Sequence, residues 1–224
     1  MQRLTLNYKK LPYKTEWHRI CDLESVLRSR GFKPSAAGIY TSPAIEDPLS
    51  SGGKELVLDS LEIAKYLDKT YPDSKPVLPL ETVEAQVKFV ESFAAFQQRT
   101  SVPIMIGGIY SQQDEDCQAW YRNMMTARAG MDITALIPTE ERRKVIWEQL
   151  HERYGQIGEE IDATGKGGPY FGGKDPLFQD IYVIASLLGF KVVLEPEEWQ
   201  MIESWHDGRW KKLLEESSWF SQVI

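Results

Sequence analysis

A change of pattern at one proline-rich stretch restricts what this chain can fold into more than any other feature. Tyr71 to Pro79 reads YPDSKPVLP, placing Pro72, Pro76 and Pro79 in close succession. Proline fixes φ and donates no backbone hydrogen bond, so neither helix nor strand runs through such a stretch. Before it, short strand-like and helix-like runs alternate; after it, apolar residues recur at helical spacing almost to the end. The pattern predicts a small α/β unit over 1–72, a linker over 73–80 and an all-helical unit over 81–224.

In the first unit, Tyr13 to His18 (YKTEWH) predicts a short strand, and Leu23 to Arg30 a helix stopped by Gly31. Ile39 to Glu46 (IYTSPAIE) predicts a second strand with Pro43 inside it. LSSGG at 49–53 is a turn, KELVL at 54–58 a returning strand, and Asp59 opens a helix with Ile63, Ala64 and Leu67 on one face. In the second unit, Val83, Val87, Val90 and Ala94 mark one face and Phe89, Phe93 and Phe96 another, the pattern of a helix buried between neighbours. Further helices are predicted over about 115–131 and 181–194, and in short pieces over 195–205 and 207–217, the last capped by His206-Asp207. Between them, Thr139 caps a helix whose core stripe is Ile146, Leu150, Tyr154, Ile157 and Ile161.

Charge and composition remove several classes of function. Asp plus Glu is 33 against 26 for Lys plus Arg, a net charge of −7. That balance argues against nucleic acid or an anionic membrane as the main partner. The most apolar run, Ile181 to Leu194, is interrupted by Lys191 and falls short of the ~20 residues of a membrane span. The first twenty residues hold no apolar signal-peptide core, so a cytoplasmic protein is expected. Two cysteines are too few for a disulfide-rich scaffold, and the three histidines, His18, His151 and His206, sit far apart in sequence, so no metal site is expected.

Two short motifs carry chemistry. A proline inside a strand marks an edge, a bulge or a cis peptide. A cis Ser42–Pro43 bond would open the Ser42 backbone N–H and C=O to an extended peptide ligand; the plain alternative is an edge-strand proline with no ligand. In Asp59-Ser60-Leu61-Glu62, an acid at a helix start precedes Glu62 by three, which helix capping alone explains. The functional alternative is a ligand carboxylate on the helix N-terminus and the Ser60 hydroxyl, with a buried acid meeting the ligand's ammonium group. Together the motifs describe a clamp for an α-amino acid. A third stretch, Gly168 to Lys174, matches G-x-x-x-x-G-K, but Asp175 and Pro176 follow and no strand leads in. A solvated loop is expected there, not a nucleotide site.

The order of these features resembles the glutathione transferase superfamily over essentially the whole chain, and its fungal β-etherase-like class in particular. The resemblance is carried by LNYKKLPYKTEW (6–17), YTSPAI (40–45), DSLEIAKYLDKTYPD (59–73) and HDGRW (206–210). It implies an α/β plus all-α fold: a thioredoxin-like N-terminal domain, incomplete here, followed by an all-helical C-terminal domain. It implies glutathione as cofactor, with the backbone of Ser42 pairing the cysteinyl part, Pro43 holding the turn, and Asp59 and Ser60 gripping the γ-glutamyl end. It also implies a homodimer and a transferase or isomerase acting on a small apolar electrophile, by thiol addition to a conjugated double bond with trans-to-cis isomerisation as one outcome. A non-catalytic glutathione-binding interaction module is the alternative.

The chain departs from the family pattern in two places. The usual Ser/Thr-x-x-Asp box that opens the helix after the glycine-rich loop reads Leu177-Phe-Gln-Asp180 here, which leaves Asp175 as a substitute cap. Arg3 to Lys10 corresponds to the end of the family's first helix. The first strand and the loop with the thiol-activating Ser, Tyr or Cys therefore have no counterpart, and no catalytic residue is carried over; Ser42 bears the one hydroxyl expected near the thiol. Without that central strand, the strands at 13–18 and 39–46 are expected either to pair directly or to leave 1–20 mobile.

Overall fold

Helix α1 (Gln2–Tyr8) opens the chain, and a 3₁₀ turn at Ile20–Asp22 leads into α2 (Leu23–Ser29). The computed structural model describes residues 1–35 and 38–221. Strands β1 (Ala44–Pro48) and β2 (Lys54–Leu58) pair antiparallel in register from Ala44↔Leu58 to Pro48↔Lys54. Their turn closes with Leu49 N–H on the Gly53 carbonyl at 3.1 Å, and Gly52 and Gly53 adopt φ +87° and +84°. That conformation is open to glycine at little cost. Helix α3 (Ser60–Thr70) buries Ile63, Ala64 and Leu67, the face read from the sequence.

The sheet departs from expectation. Among the described residues it has two strands, and residues 13–18 form none. A strand is held by its neighbour's ladder, and the segment has side-chain ties instead: the Tyr13 hydroxyl donates to Asn7 Oδ1 at 2.8 Å, and Glu16 accepts from Arg30. The expected direct pairing of 13–18 with 39–46 is thus not formed. The second strand begins only at Ala44, beyond the proline, because Pro43 has no N–H to donate.

Polar contacts tie this first unit together. The Lys9 ammonium donates to Asp68 at 2.6 Å with its side chain fully covered. The same carboxylate accepts the N–H groups of Val77 and Leu78, at 3.0 and 2.7 Å. Val77 and Leu78 are buried, so this part of the expected linker is packed into the first unit, which clusters as Met1–Leu80 together with Phe220 and Ser221.

Glu81–Trp219 forms a second compact unit. Its helices are α4 (Val83–Arg99), α5 (Ser101–Ser111), α6 (Glu115–Ala129), α7 (Ile133–Leu136), α8 (Glu140–Ala163), α9 (Phe178–Val193) and α10 (Pro196–Glu216); a last turn, α11, is Ser218–Ser221. Thr139 caps α8, and the whole stripe Ile146, Leu150, Tyr154, Ile157 and Ile161 is buried. Phe93 is fully buried among Phe89, Phe96, Tyr154 and Tyr182, at ring distances of 5.8 to 6.4 Å. Among the described residues no helix is long and apolar enough to cross a membrane.

Two expectations are corrected in this unit. His206 and Asp207 do not cap a helix: with Gly208 they turn left-handed, φ +52°, +57° and +73°, and break α10 into two pieces. The glycine-rich loop is not simply solvated, since Tyr170 and Phe171 are buried and the Tyr170 hydroxyl meets Ser217 Oγ at 3.1 Å. At the start of α9, Leu177 offers no capping side chain, and the Asp180 carboxylate takes the Leu177 and Phe171 N–H groups at 2.8 and 3.0 Å. The reciprocal half of a capping box is therefore present without its hydroxyl half.

Candidate functional site

The antiparallel register brings the two sequence motifs together. Because Ala44 faces Leu58, the residues just outside the ladder, Pro43 and Asp59, are also opposed, and the Asp59 N–H donates to the Pro43 carbonyl at 3.3 Å. Ser42–Pro43 is a cis peptide bond. Ser42 is exposed, and neither its backbone groups nor its hydroxyl has a hydrogen-bond partner among the described residues. An unpaired N–H and C=O beside a strand form a template for one more extended segment.

Asp59 stands at φ +80°, ψ 137°, a backbone region that costs a non-glycine residue about 1–3 kcal/mol and persists where the surroundings impose it. Its Oδ1 accepts the N–H groups of Leu61 and Glu62 at 2.8 and 3.3 Å. The capping role is thus formed, and it occupies two of the N–H groups that the clamp reading left free. Asp59 is exposed where a buried acid was expected. What remains for a ligand is Oδ2 of Asp59 together with the half-buried Ser60 hydroxyl, which has no partner among the described residues. A carboxylate oxygen beside a hydroxyl at a helix N-terminus meets both ends of an α-amino acid: the acid faces the ammonium, the hydroxyl and the dipole face the carboxylate.

Neighbouring side chains are committed elsewhere. Asp47 on β1 accepts the Tyr66 hydroxyl at 2.7 Å and the Tyr71 hydroxyl at 2.8 Å. Burial, then that carboxylate, pushes the Tyr66 phenol up to about 12, so it stays protonated at neutral pH. Glu46 accepts from Lys54 at 2.7 Å and also meets Arg30, and these cations lower its pKa. No tyrosine of this group is free to activate a nucleophile.

The structure also brings together side chains that the sequence left apart. His151 and His206 stack at 4.4 Å, and Trp210 Nε1 donates to His206 Nδ1 at 2.9 Å. No group of three metal-ligating side chains occurs among the described residues. Fifty-five positions separate these histidines, and only the break in α10 delivers the second to α8.

Comparison with known proteins gives one answer along the chain. Residues 2–75 match the family profile of the glutathione S-transferase N-terminal domain and residues 85–220 that of the C-terminal domain. A glutathione S-transferase of Ceriporiopsis subvermispora, solved in complex with glutathione, is 33% identical with a TM-score of 0.86, over 99% of this chain and 89% of that one. A glutathione transferase of Phanerochaete chrysosporium is 27% identical with a TM-score of 0.84, over 100% of this chain and 89% of its own. The glutathione S-transferase-like protein ustS of Aspergillus flavus is 26% identical, over 94% of this chain and 79% of that protein. With a thioredoxin-like first unit and a helical second one, matched by profile over residues 2–75 and 85–220, the chain belongs to the glutathione S-transferase family.

Proposed function

We propose that the chain is a glutathione-dependent transferase whose first unit holds glutathione between Ser42-Pro43 and Asp59-Ser60. The observation that carries this reading is the hydrogen bond from Asp59 N–H to the Pro43 carbonyl, which joins an unpaired backbone segment to a helix start bearing an acid and a hydroxyl. In this reading the Ser42 N–H and C=O pair with the cysteinyl peptide, Asp59 Oδ2 meets the γ-glutamyl ammonium, and the Ser60 hydroxyl donates to the γ-glutamyl carboxylate. The residues present fit such a ligand, since each proposed contact falls on a group with unused hydrogen-bonding capacity.

Bound glutathione supplies a thiol nucleophile for a conjugated double bond, chemistry that ends either in a conjugate or in trans-to-cis isomerisation. A free thiol near pKa 8.5 is only about 3% ionised at pH 7, so positioning carries more of the rate than basicity when no activating group is at hand. The substrate proposed is accordingly a small apolar enone or polyene rather than an aryl halide. The proposed assembly is a homodimer, and sedimentation velocity reads it directly.

Asp59→Asn separates clamp from cap. Asparagine keeps an Oδ1 acceptor for the Leu61 and Glu62 N–H groups and tolerates positive φ better than most residues. It replaces Oδ2 by a donor that cannot face an ammonium group. Charge-assisted bonds are worth about 1.5–3 kcal/mol, so glutathione affinity should fall tenfold or more while the melting temperature holds. Unchanged affinity by calorimetric titration would sink the clamp. If glutathione binds but a panel of enones, polyenes and aryl halides shows no glutathione-dependent change, the non-catalytic binding module replaces the enzyme.

A further inference from the structure

The break in α10 is held against α8 by side-chain contacts, and none of its residues belongs to the proposed glutathione clamp. His206 and Asp207 turn left-handed at φ +52° and +57°, and neither is glycine. A residue with a Cβ stays in that region only where its surroundings impose it, because the Cβ crowds the following carbonyl oxygen. Two glycines of α8 form the seat. A Cβ at Gly155 would lie 2.9 Å from His206 Nε2, and one at Gly158 3.2 Å from Arg209 Nε. The Arg209 guanidinium seated there grips Asp162 through two bonds, at 2.7 and 2.8 Å.

Both sides of the His206 ring are in use. Nδ1 accepts from Trp210 Nε1 at 2.9 Å, and from the Nε2 side, which faces Gly155, the ring donates to the His151 backbone carbonyl. An indole N–H can only donate, so Nδ1 carries no proton. A second proton has one place to go, Nδ1, and there it sets N–H against N–H. Trp210 is fully buried, edge-on to Tyr154 at 5.0 Å, and its N–H would lose its acceptor. The charged or titratable groups around the ring are His151 of α8, stacked at 4.4 Å, and Asp207 and Arg209 of α10. Tyr154 of α8, beyond Trp210, stays neutral because burial pushes its phenol up. Burial, then His151 and Arg209, hold the His206 imidazole below its ordinary value, outweighing Asp207 and the backbone bond.

We propose that His206 is the pin of a pH-sensitive latch: a proton gained at Nδ1 expels the Trp210 N–H, and the left-handed turn at 206–208 lets go of α8. The open form takes its proton at the ordinary imidazole value, about 6.5, and the closed form below it. Closure is therefore complete above that value. It weakens by up to about tenfold for each pH unit below, until the closed form is protonated too. What opens is the wall of a cavity of about 310 Å³, lined by Gly168, Pro169, Trp210 and Leu213 among others.

Hydrogen exchange at the Trp210 indole, followed by NMR in the full chain with 15N-labelled tryptophan, tests the latch. Protection relative to free indole at the same pH should stay level from pH 8 to 7. It should then fall several-fold between pH 6.5 and 5, while the backbone amides of α9 keep theirs. His206→Asn retains an Oδ1 acceptor for Trp210, tolerates left-handed φ and takes no proton in this range, so its protection should be level throughout. Should that variant fail to fold, the 15N shifts of the wild-type histidine rings decide: His206 Nδ1 should gain its proton only as Trp210 loses protection. Level protection in the wild type, a fall that survives in His206→Asn, or a protonated Nδ1 beside a still-protected Trp210 overturns the proposal.

Discussion

The two units present chemistry in different ways. Among the described residues the first has a sheet of two strands, so each strand pairs one edge, and irregular backbone around Ser42 is left with hydrogen-bonding groups to offer. The second is helical, and a helix satisfies its own peptide groups. Anything it offers a ligand comes from side chains. Their cohesion differs as well. The first unit joins polar ties, Lys9 with Asp68 and Asp47 with two tyrosines, to an apolar core that includes Ile63, Ala64 and Leu67. The second depends on an aromatic interior in which Phe93, Tyr154 and Trp210 are fully buried.

That contrast is open to experiment, and the largest effect is expected at Asp68. Asp68→Ala leaves the covered Lys9 ammonium without its counterion and the Val77 and Leu78 N–H groups without an acceptor. Breaking a buried pair in this way costs about 3–5 kcal/mol. Hydrogen exchange followed by fragment mass spectrometry should show protection lost across 1–80 and largely kept across 140–193. Uniform loss in both units would erase the proposed difference in cohesion.

A smaller effect should come from pH, and it belongs to the second unit. Burial pushes the Asp180 carboxyl up to about 7. The folded state then holds a proton that the unfolded chain, titrating near 3.9, releases earlier. Folding therefore gains from Asp180 at acid pH, and the gain is lost as pH rises through about 7, a change of a few kcal/mol at most. Thermal unfolding from pH 5 to 8 should slope downward in the wild type and flatten in Asp180→Asn; equal slopes would contradict this. The smallest effect is expected at Ser42. If its backbone is what matters, Ser42→Ala leaves glutathione affinity and turnover unchanged. A fall in kcat at constant affinity would instead bring the hydroxyl into the mechanism.

Much of this organisation was legible in the sequence because it rests on local chemistry. Asp59 reads as a cap from its own neighbours, KELVL spans β2, and the α8 stripe follows from helical spacing. The segment YKTEWH misled because strand character needs a partner strand, which composition cannot supply. The contact of Asp59 with Pro43 depends on the register of a hairpin, and the stack of His151 on His206 on a left-handed break in α10. The exposure of Asp59 was misjudged for a related reason: a motif names a carboxylate, but the surrounding chain decides how much of it meets water.

The glycine-rich loop shows how packing can imitate a motif. A Cβ at Gly172 would lie 2.1 Å from the Asp175 carbonyl oxygen, and one at Gly168 2.4 Å from that of Gly173. Lys174, the residue that a phosphate site would prize, is exposed. In the descent of this protein the two glycines should therefore be the fixed letters and the lysine the free one. A phosphate-binding loop would drift the other way, holding its lysine at least as tightly as its glycines, so the order in which these positions vary distinguishes a fold's need for space from a ligand's need for charge.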